Sequence, residues 1–151
     1  DLETVGAALT AAETGHLVLA TLHTPNAPQT IDRVIDIFPP HQQQQVRAQL
    51  SMALEAVLCQ ALVPRQGQPG RVAAIEVMVA TPAIRNLIRE GKTHQLLSVI
   101  QTGAQHGMQT LDQSLTALCH SGVISAEAAL AHSQNAEEMR GLLGDRRGLA
   151  A

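Results

Sequence analysis

The 151-residue sequence predicts an α/β domain followed by a helical region. Three observations lead to this class. Residues 16–22 form a short apolar run, rich in branched side chains and without helical spacing, which is typical of a buried strand in a parallel sheet. Residues 55–64 and 71–80 have the pattern of two strands joined by a hairpin loop. Every later segment has helical spacing, so we predict that residues 1–80 are the end of an α/β domain and that residues 81–151 form a helical region.

The elements on either side of the first predicted strand are helices. A helix over Leu2–Glu13 has apolar residues at spacings of three and four, and Gly15 suits the left-handed conformation that follows a helix. A second helix begins at Pro28, because proline is favourable at the first helical position, and it ends at Phe38 before two prolines. A third helix covers residues 41–54.

The helical region begins at a clear boundary signal. Thr81 is a favourable N-cap, Pro82 is a favourable first residue, and Gly91 ends the helix that these two residues begin. Further helices are expected at residues 93–102, 110–121, 125–133 and 136–144.

The composition excludes several classes of function. The formal net charge is -3, the basic residues are scattered, and Phe38 is the single aromatic residue, so the sequence offers neither a basic stripe nor stacking surfaces for nucleic acid. Cys59 and Cys119 are far apart and form no CxxC pair, which favours a reduced, cytoplasmic setting. No apolar run is long enough to span a membrane. Because the first residue is Asp1 rather than Met, we expect the sequence to be part of a longer protein.

Two histidines enclose the first predicted strand. Strand steps of ~3.3 Å place His16 and His23 roughly 23 Å apart, so they cannot share one zinc ion, and we predict no metal site. Ligands of open α/β sheets bind beyond the carboxyl ends of the strands, where His23 and Thr24 lie. We therefore predict that His23 approaches a ligand, for example the terminal phosphate of a nucleotide, and that His16 bonds locally. The alternative is that both are ordinary histidines at the ends of a strand.

Three charged residues stand out in the later predicted elements. Arg85 and Arg89 are four residues apart and share a helix face, where like charges are destabilising by roughly 0.2–0.5 kcal/mol. They invite a carboxylate or a partner surface, and the alternative is a solvated face. Glu76 lies within an apolar strand, where a carboxylate needs a partner or an exposed face, so we predict that Glu76 is exposed at the sheet edge.

Several longer segments resemble one protein family. The segment LTAAETGHLVLATLHT, residues 9–24, resembles the His box of the secretion ATPase superfamily. The segments TIDRVIDIFPPHQQQQVRAQL and AIRNLIRE, residues 30–50 and 83–90, resemble the PilT-type twitching-motility ATPases, which retract type IV pili. The likeness continues through IQTGAQHGMQTLDQSL and GVISAEAAL, residues 100–115 and 122–130, and covers nearly the whole chain.

The resemblance implies a hexameric, Mg²⁺-dependent P-loop ATPase with a RecA-like core, of which this chain would be the C-terminal half followed by the helical region. It implies ATP and Mg²⁺ as cofactors. The implied partners are other copies in a homo-hexamer, the inner-membrane pilus platform and other pilus motor proteins, at a cytoplasmic location peripheral to the inner membrane at the pilus base. The AIRNLIRE motif is implied to serve retraction rather than hydrolysis, with Arg85, Asn86 and Arg89 transmitting motion or contacting partners.

By the same resemblance, His16 and His23 are His-box residues with a sensing or positioning role at the γ-phosphate, and Thr24 binds beside them. The sequence has no GxxxxGK[ST] loop, which cradles phosphates and supplies a lysine, and Lys92, the only lysine, cannot serve as one. We therefore expect the isolated chain to bind ATP weakly or not at all, and not to hydrolyse it. The alternatives are a related type II secretion or pilus assembly ATPase, and a non-catalytic docking module derived from such a motor.

Overall fold

The structure is a computed structural model that describes residues 1–144, and residues 145–151 of the predicted helical region lie outside the described residues. None of the helices within residues 1–144 combines the length and the apolar character needed to cross a lipid bilayer. In chain order the elements are α1 (Leu2–Glu13), α2 (Ala27–Asp36), α3 (Pro40–Ala53), β1 (Ala56–Pro64), β2 (Arg71–Val79), α4 (Pro82–Arg89), α5 (Leu96–Thr102), α6 (Leu111–His120), α7 (Ala126–His132) and α8 (Ala136–Gly144), with short 3-10 turns at Thr93–Gln95 and Ala104–His106.

The helix boundaries follow local signals in the sequence. Asn26 and Thr81 cap α2 and α4, each by accepting a hydrogen bond from the backbone N–H three residues later, and Thr110 begins α6 with a reciprocal capping box. Gly15 and Gly91 follow α1 and α4 with φ values of 91° and 70°, in the left-handed region that glycine adopts without strain. The predicted cap at Thr81 and the predicted stops at Gly15 and Gly91 are confirmed. The helix predicted over Pro28–Phe38 begins one residue earlier and ends two residues earlier, at Ala27 and Asp36.

Strands β1 and β2 form an antiparallel hairpin, as predicted, with Cys59 opposite Glu76. The outer edge of β2 is also paired, because Val77 exchanges two backbone hydrogen bonds of 2.9 and 3.1 Å with Gln109. In an antiparallel ladder, the two residues of an opposite pair either form hydrogen bonds to each other or both direct their N–H and C=O groups to the outer edges. Leu58, which lies opposite Val77, therefore also directs its backbone groups away from the hairpin.

The outer edge of β1 has no backbone partner within residues 1–144. Leu58, Gln60 and Leu62 face this edge and make no backbone hydrogen bond outside the hairpin. Two of these three side chains are exposed leucines, with 69% of Leu58 and 55% of Leu62 accessible to solvent. A long apolar edge with unpaired backbone groups is the surface to which a further strand binds.

Two hydrophobic clusters pack against opposite ends of the hairpin. The first cluster brings α1 to α5 onto the end where β2 finishes, and it contains Leu9, Ala27, Ile31, Ile35, Phe38, Val46, Leu50, Met78, Ile84, Ile88, Leu96, Ile100 and Met108. The second cluster brings α6 to α8 onto the end near the hairpin loop, and it contains Val63, Ala74, Leu111, Leu115, Ile124, Ala129 and Met139. On one face of β2, Glu76 lies between Ala74 of the second cluster and Met78 of the first.

The prediction of a strand at residues 16–22 is wrong for the described structure. These residues have no regular secondary structure, and residues 17–23 make no backbone hydrogen bond with any residue in the range 1–144. Leu17 and Leu19 are 84% and 88% exposed. A parallel strand is stable only beside neighbouring strands, and β1 and β2 pair with each other instead. The apolar run is therefore left without the sheet that its composition indicates.

Candidate functional site

The segment that carries His23 leads into a short loop anchored by buried groups. His23 is exposed and makes no hydrogen bond with the described residues. Thr24 is half-buried, and its Oγ1 lies 2.7 Å from Thr30 Oγ1 in the first turn of α2. Thr30 Oγ1 in turn lies 3.8 Å from Cys59 Sγ on β1. The loop that follows His23 is thus attached to α2 and rests against the hairpin.

The direction of these hydrogen bonds follows from the number of protons. The Thr30 hydroxyl has one proton, which it donates to the Asn26 carbonyl oxygen at 2.9 Å. Thr24 is then the donor to Thr30, and its own oxygen offers only lone pairs to a ligand. A phosphate needs hydrogen-bond donors, so the exposed imidazole of His23 is the side chain of this loop that fits a phosphate.

Glu76 holds the end of the loop where α2 begins. Its side chain is fully buried, and its Oε1 accepts a hydrogen bond of 2.7 Å from the N–H of Ala27, the first residue of α2. The unpaired N–H groups and the dipole at a helix N-terminus favour an anion or an acceptor there. The predicted exposure of Glu76 at the sheet edge is therefore wrong, because α2 and α6 pack against β2 and exclude water from this side chain.

The environment of Glu76 favours its neutral form. Burial raises the pKa of the Glu76 carboxyl, the backbone N–H groups of Ala27 and Leu111 oppose this rise, and the Asp112 carboxylate adds to it. Of the two N–H groups, only that of Ala27 has hydrogen-bond geometry, and Oε2 has no hydrogen-bond partner within residues 1–144. Burial also raises the pKa of the Cys59 thiol, directly opposite Glu76. The centre of the hairpin therefore disfavours negative charge.

The raised pKa of Glu76 makes stability depend on pH. The folded chain holds the Glu76 proton more tightly than the unfolded chain, so this contribution is fully present below the ordinary pKa of 4.5 and is lost as pH rises through the folded value. Glu76→Gln keeps an acceptor for Ala27 and removes the titration. We expect the free energy of unfolding of this variant to rise relative to wild type as the pH increases above the ordinary pKa of 4.5, measured by urea unfolding. Parallel pH profiles for the two chains would contradict the expectation.

His16 bonds locally at the other end of the apolar run. Its Nδ1 lies 3.3 Å from the Ala11 carbonyl oxygen and 3.2 Å from Thr14 Oγ1. Because a carbonyl oxygen only accepts, Nδ1 carries the proton in this arrangement. His16 also lines a groove of about 730 Å³ beside α1. Within residues 1–144, no three His, Cys, Asp or Glu side chains are grouped so that they could hold a metal ion.

The AIRNLIRE segment forms α4, and its first arginine joins this helix to α3. Arg85 Nη1 donates to the carbonyl oxygens of Ser51 and Met52 at 3.0 and 2.7 Å, and Nη2 donates to Glu55 Oε1 at 3.1 Å. Ser51 and Met52 lie in the last turn of α3, where carbonyl groups lack helical partners and a cation is favoured. We expected the two arginines to attract a carboxylate. Within residues 1–144 that carboxylate is Glu55, and it forms an ion pair with Arg85 and not with Arg89.

The other polar residues of α4 form an exposed row. Arg89 donates to Asn86 Oδ1 at 3.1 Å, and Asn86 donates to Glu90 Oε1 at 3.0 Å. Lys92 pairs with Glu90 at 2.8 Å, and its hydrogen bond lowers the pKa of the Glu90 carboxyl. Arg89 and Arg85 thus have different surroundings, although they share a helix face in sequence. The exposed row can contact a partner, whereas the guanidinium of Arg85 is hydrogen-bonded to α3.

The chain is similar to known proteins over most of its length. Residues 1–68 match the family model for type II/IV secretion system proteins. The chain is 53% identical over 139 residues to a twitching motility protein of Neisseria gonorrhoeae, and 57% identical over 129 residues to the type IV pilus retraction ATPase PilT of Pseudomonas aeruginosa. The two alignments cover 92% and 85% of this chain and 37% of each relative.

The fold agrees with these relatives. A crystal structure of the pilus retraction motor PilT with bound ADP matches 91% of this chain and 38% of that chain, with a TM-score of 0.82 and 48% sequence identity. The chain belongs to the PilT-type secretion ATPases. It spans 37% of the length of the two curated relatives. The predicted fold class, the C-terminal half of a RecA-like ATPase core followed by helices, is confirmed.

In this PilT-type chain, three buried polar residues that organise the site were missed or wrongly placed by sequence reasoning. Glu76 and Thr30 hold the loop after His23, and Asp112 joins α6 to the start of α8 by accepting the Gln134 and Asn135 N–H groups at 2.9 and 3.1 Å. A glutamate in an apolar strand was a usable signal for Glu76. Asp112 carried none, since an acidic residue in the first turn of a helix is common on any surface.

Proposed function

We propose that this chain is part of a hexameric ATPase motor that retracts type IV pili by ATP hydrolysis. The observation that carries the proposal is its similarity to pilus retraction ATPases across both the His-box segment and the AIRNLIRE helix. Residues 1–80 belong to the RecA-like ATPase domain, and residues 81–151 form the helical region that carries the motif.

The unpaired surfaces of the described structure support a larger sheet. The apolar run at residues 16–22 has no neighbouring strand, and the outer edge of β1 has no backbone partner within residues 1–144. In larger sheets, further strands cover apolar runs and unpaired strand edges of this kind. In the proposed motor those strands include the one that leads into the phosphate-binding loop, whose GxxxxGK[ST] pattern this sequence does not contain.

In the proposed motor, His23 lies at the end of this sheet that binds the nucleotide. ATP with Mg²⁺ supplies the phosphoanhydride bond whose hydrolysis drives the motor, and the bound ADP of a related structure supports nucleotide as the ligand. His23 presents an imidazole whose two nitrogens are free of other hydrogen bonds within the described chain, and it positions or senses the γ-phosphate. Thr24 holds the loop at the nucleotide through Thr30, and His16 supports the start of the box.

The motor also needs a route from the nucleotide to the pilus. Arg85 transmits displacement between α3 and α4, because it is bonded to both. Asn86 and Arg89, which are exposed, contact a neighbouring subunit or the inner-membrane pilus platform. The proposed location is cytoplasmic, at the pilus base, among other copies of the chain and other pilus motor proteins.

A chimera tests this function. We expect that replacing the matched segment of Pseudomonas aeruginosa PilT with this chain gives a protein that hydrolyses ATP and restores twitching to cells without PilT. In that chimera His23→Ala should lower kcat about tenfold or more, because the group that positions the γ-phosphate is lost. His41→Ala, an exposed histidine near the start of α3, is the matched control and should change kcat by less than about twofold.

Other outcomes point to the alternatives. A chimera that assembles but does not hydrolyse ATP, with His23→Ala without effect, would support a non-catalytic docking module. A chimera that hydrolyses ATP but fails to restore twitching would support a secretion or assembly ATPase, although the AIRNLIRE motif and the presence of only two cysteines favour retraction. Calorimetry that detected micromolar ATP binding to the isolated chain would contradict the expectation that phosphate binding needs the missing loop.

A further inference from the structure

We propose that Glu76 is a positioning residue for the loop that carries His23, and that it acts as a hydrogen-bond acceptor rather than as a charge. The inference rests on the proposed function, in which His23 meets the nucleotide. Glu76 itself lies on the middle of β2, buried and remote in sequence, and it reaches the loop through the N–H of Ala27.

The loop and α2 behave as one unit, and few bonds fix this unit to the hairpin. Thr24, Asn26 and Thr30 bond to one another, so these contacts move with the helix. Only two polar contacts between this unit and the hairpin occur within residues 1–144. One is the hydrogen bond of 2.7 Å between Glu76 and Ala27, and the other is the 3.8 Å approach of Thr30 to the Cys59 sulfur, which is a weak acceptor and donor. The apolar residues of α2 pack in the first hydrophobic cluster, but apolar packing does not fix the direction of an N–H group. Among the polar contacts to the hairpin, the hydrogen bond of Glu76 is the strong one, and it fixes the first turn of α2, where the loop ends.

The side chains on either side of Glu76 on this face of β2 cannot replace its acceptor. Ala27 is fully buried, and Ala74 and Met78, which flank Glu76 on the same face of β2, are apolar and fully buried as well. If the carboxyl oxygen is lost, the Ala27 N–H stays buried without a partner, which is more costly than the loss of an exposed hydrogen bond. The first turn of α2 would move to reach water, and the loop that contains Thr24 would move with it.

The surroundings favour an acceptor over a charge. Within residues 1–144, Glu76 makes one hydrogen bond, has no cationic partner and faces the Asp112 carboxylate, so a negative charge there lacks the compensation that a buried ion needs. A carboxylic acid or an amide supplies the same accepting oxygen without that charge. Glutamine should therefore perform the positioning role, whereas methionine, of similar size, should not.

Hydrogen exchange of the Ala27 amide tests the contact directly in the 151-residue chain. We expect Glu76→Met to raise the exchange rate of this amide about tenfold or more relative to the amides of β1 and β2, and Glu76→Gln to leave it within about threefold of wild type. Met78→Ala is the matched control. It makes a cavity beside Glu76 on the same strand but leaves the Glu76 carboxyl in place, so any general loss of stability should affect the Ala27 and hairpin amides equally.

Kinetics of the PilT chimera test the consequence for His23. We expect Glu76→Met to lower kcat about tenfold or more with KM for ATP changed by less than about threefold, because a displaced positioning group acts on the reacting phosphate more than on nucleotide affinity. Glu76→Gln should restore kcat, and Met78→Ala should not reproduce the loss.

The outcomes separate this inference from the proposed function. If the chimera has no ATP turnover at all, the proposed function fails while the exchange of the Ala27 amide still decides whether Glu76 holds the loop. If Glu76→Met leaves exchange and kcat at wild-type values, or if Met78→Ala reproduces both effects, the positioning role is overturned. If Glu76→Gln behaves like Glu76→Met, the role belongs to the charge and the acceptor argument is overturned.

Discussion

Replacing Ile88 with alanine is expected to lower the free energy of unfolding by about 2–5 kcal/mol. Ile88 lies on the buried face of the AIRNLIRE helix and is fully buried in the first hydrophobic cluster, together with Ile84 one turn earlier. The substitution removes apolar contact and leaves a cavity that the surrounding helices fill only in part. Urea unfolding followed by circular dichroism measures the change.

Two further variants control this measurement. Ile88→Val removes a single methylene and should cost about 0.5–1.5 kcal/mol. Leu97→Ala, at a side chain that is 42% exposed on α5, should cost less than Ile88→Ala, because less surface is buried there. A loss below about 1 kcal/mol for Ile88→Ala would show that α4 does not pack as described.

Replacing Arg85 with alanine is expected to lower the free energy of unfolding by about 1.5–3 kcal/mol. Nearly all of this arises from the Ser51 and Met52 carbonyl groups, which lose a cationic donor at the end of α3. The ion pair with Glu55 adds little, since that carboxylate is 79% exposed. Arg85→Lys should recover only part of the loss, because one ammonium group cannot reach the three acceptors that the guanidinium spans.

Arg89→Ala is the matched control for Arg85. Arg89 is exposed and its hydrogen bond to Asn86 lies within the same helix, so its removal should change stability by less than about 0.5 kcal/mol. Equal losses for the two arginines would contradict the distinction between a residue bonded to α3 and a solvated one. Because Arg85 variants are expected to be less stable, a motility defect in one of them is interpretable only with a measurement of its stability. A motility defect in an Arg89 variant points to a lost partner contact.

Local signals in the sequence were sufficient for most elements. Prolines and N-cap residues begin α2 and α4, glycines with positive φ end α1 and α4, and the short loop between β1 and β2 predicts their pairing. These features depend on residues within one turn of a helix or on two strands joined by one loop. The structure therefore agrees with the predicted bounds to within a few residues at each of them.

The failed strand prediction and the difference between Arg85 and Arg89 both concern groups whose state depends on distant neighbours. Residues 16–22 have the composition of a buried parallel strand, but such a strand forms only beside other strands, and the two strands within residues 1–144 pair with each other instead. Arg85 and Arg89 look equivalent at a spacing of four, but only Arg85 faces the end of α3. No local pattern distinguishes them, since the distinction lies in which side of α4 packs against α3.

The sequence by itself determined which segments are helix or hairpin, and it carried the motifs that place the chain among PilT-type ATPases. Tertiary structure alone decided that Glu76 is buried against the start of α2 and that the Thr24 hydroxyl is hydrogen-bonded to Thr30. It also decided that Arg85 donates hydrogen bonds to the last turn of α3. The physical reason is the sequence separation over which each interaction acts. Propensity and capping act between residues a few positions apart, whereas desolvation and hydrogen bonding of a buried group depend on which surfaces the whole fold brings together.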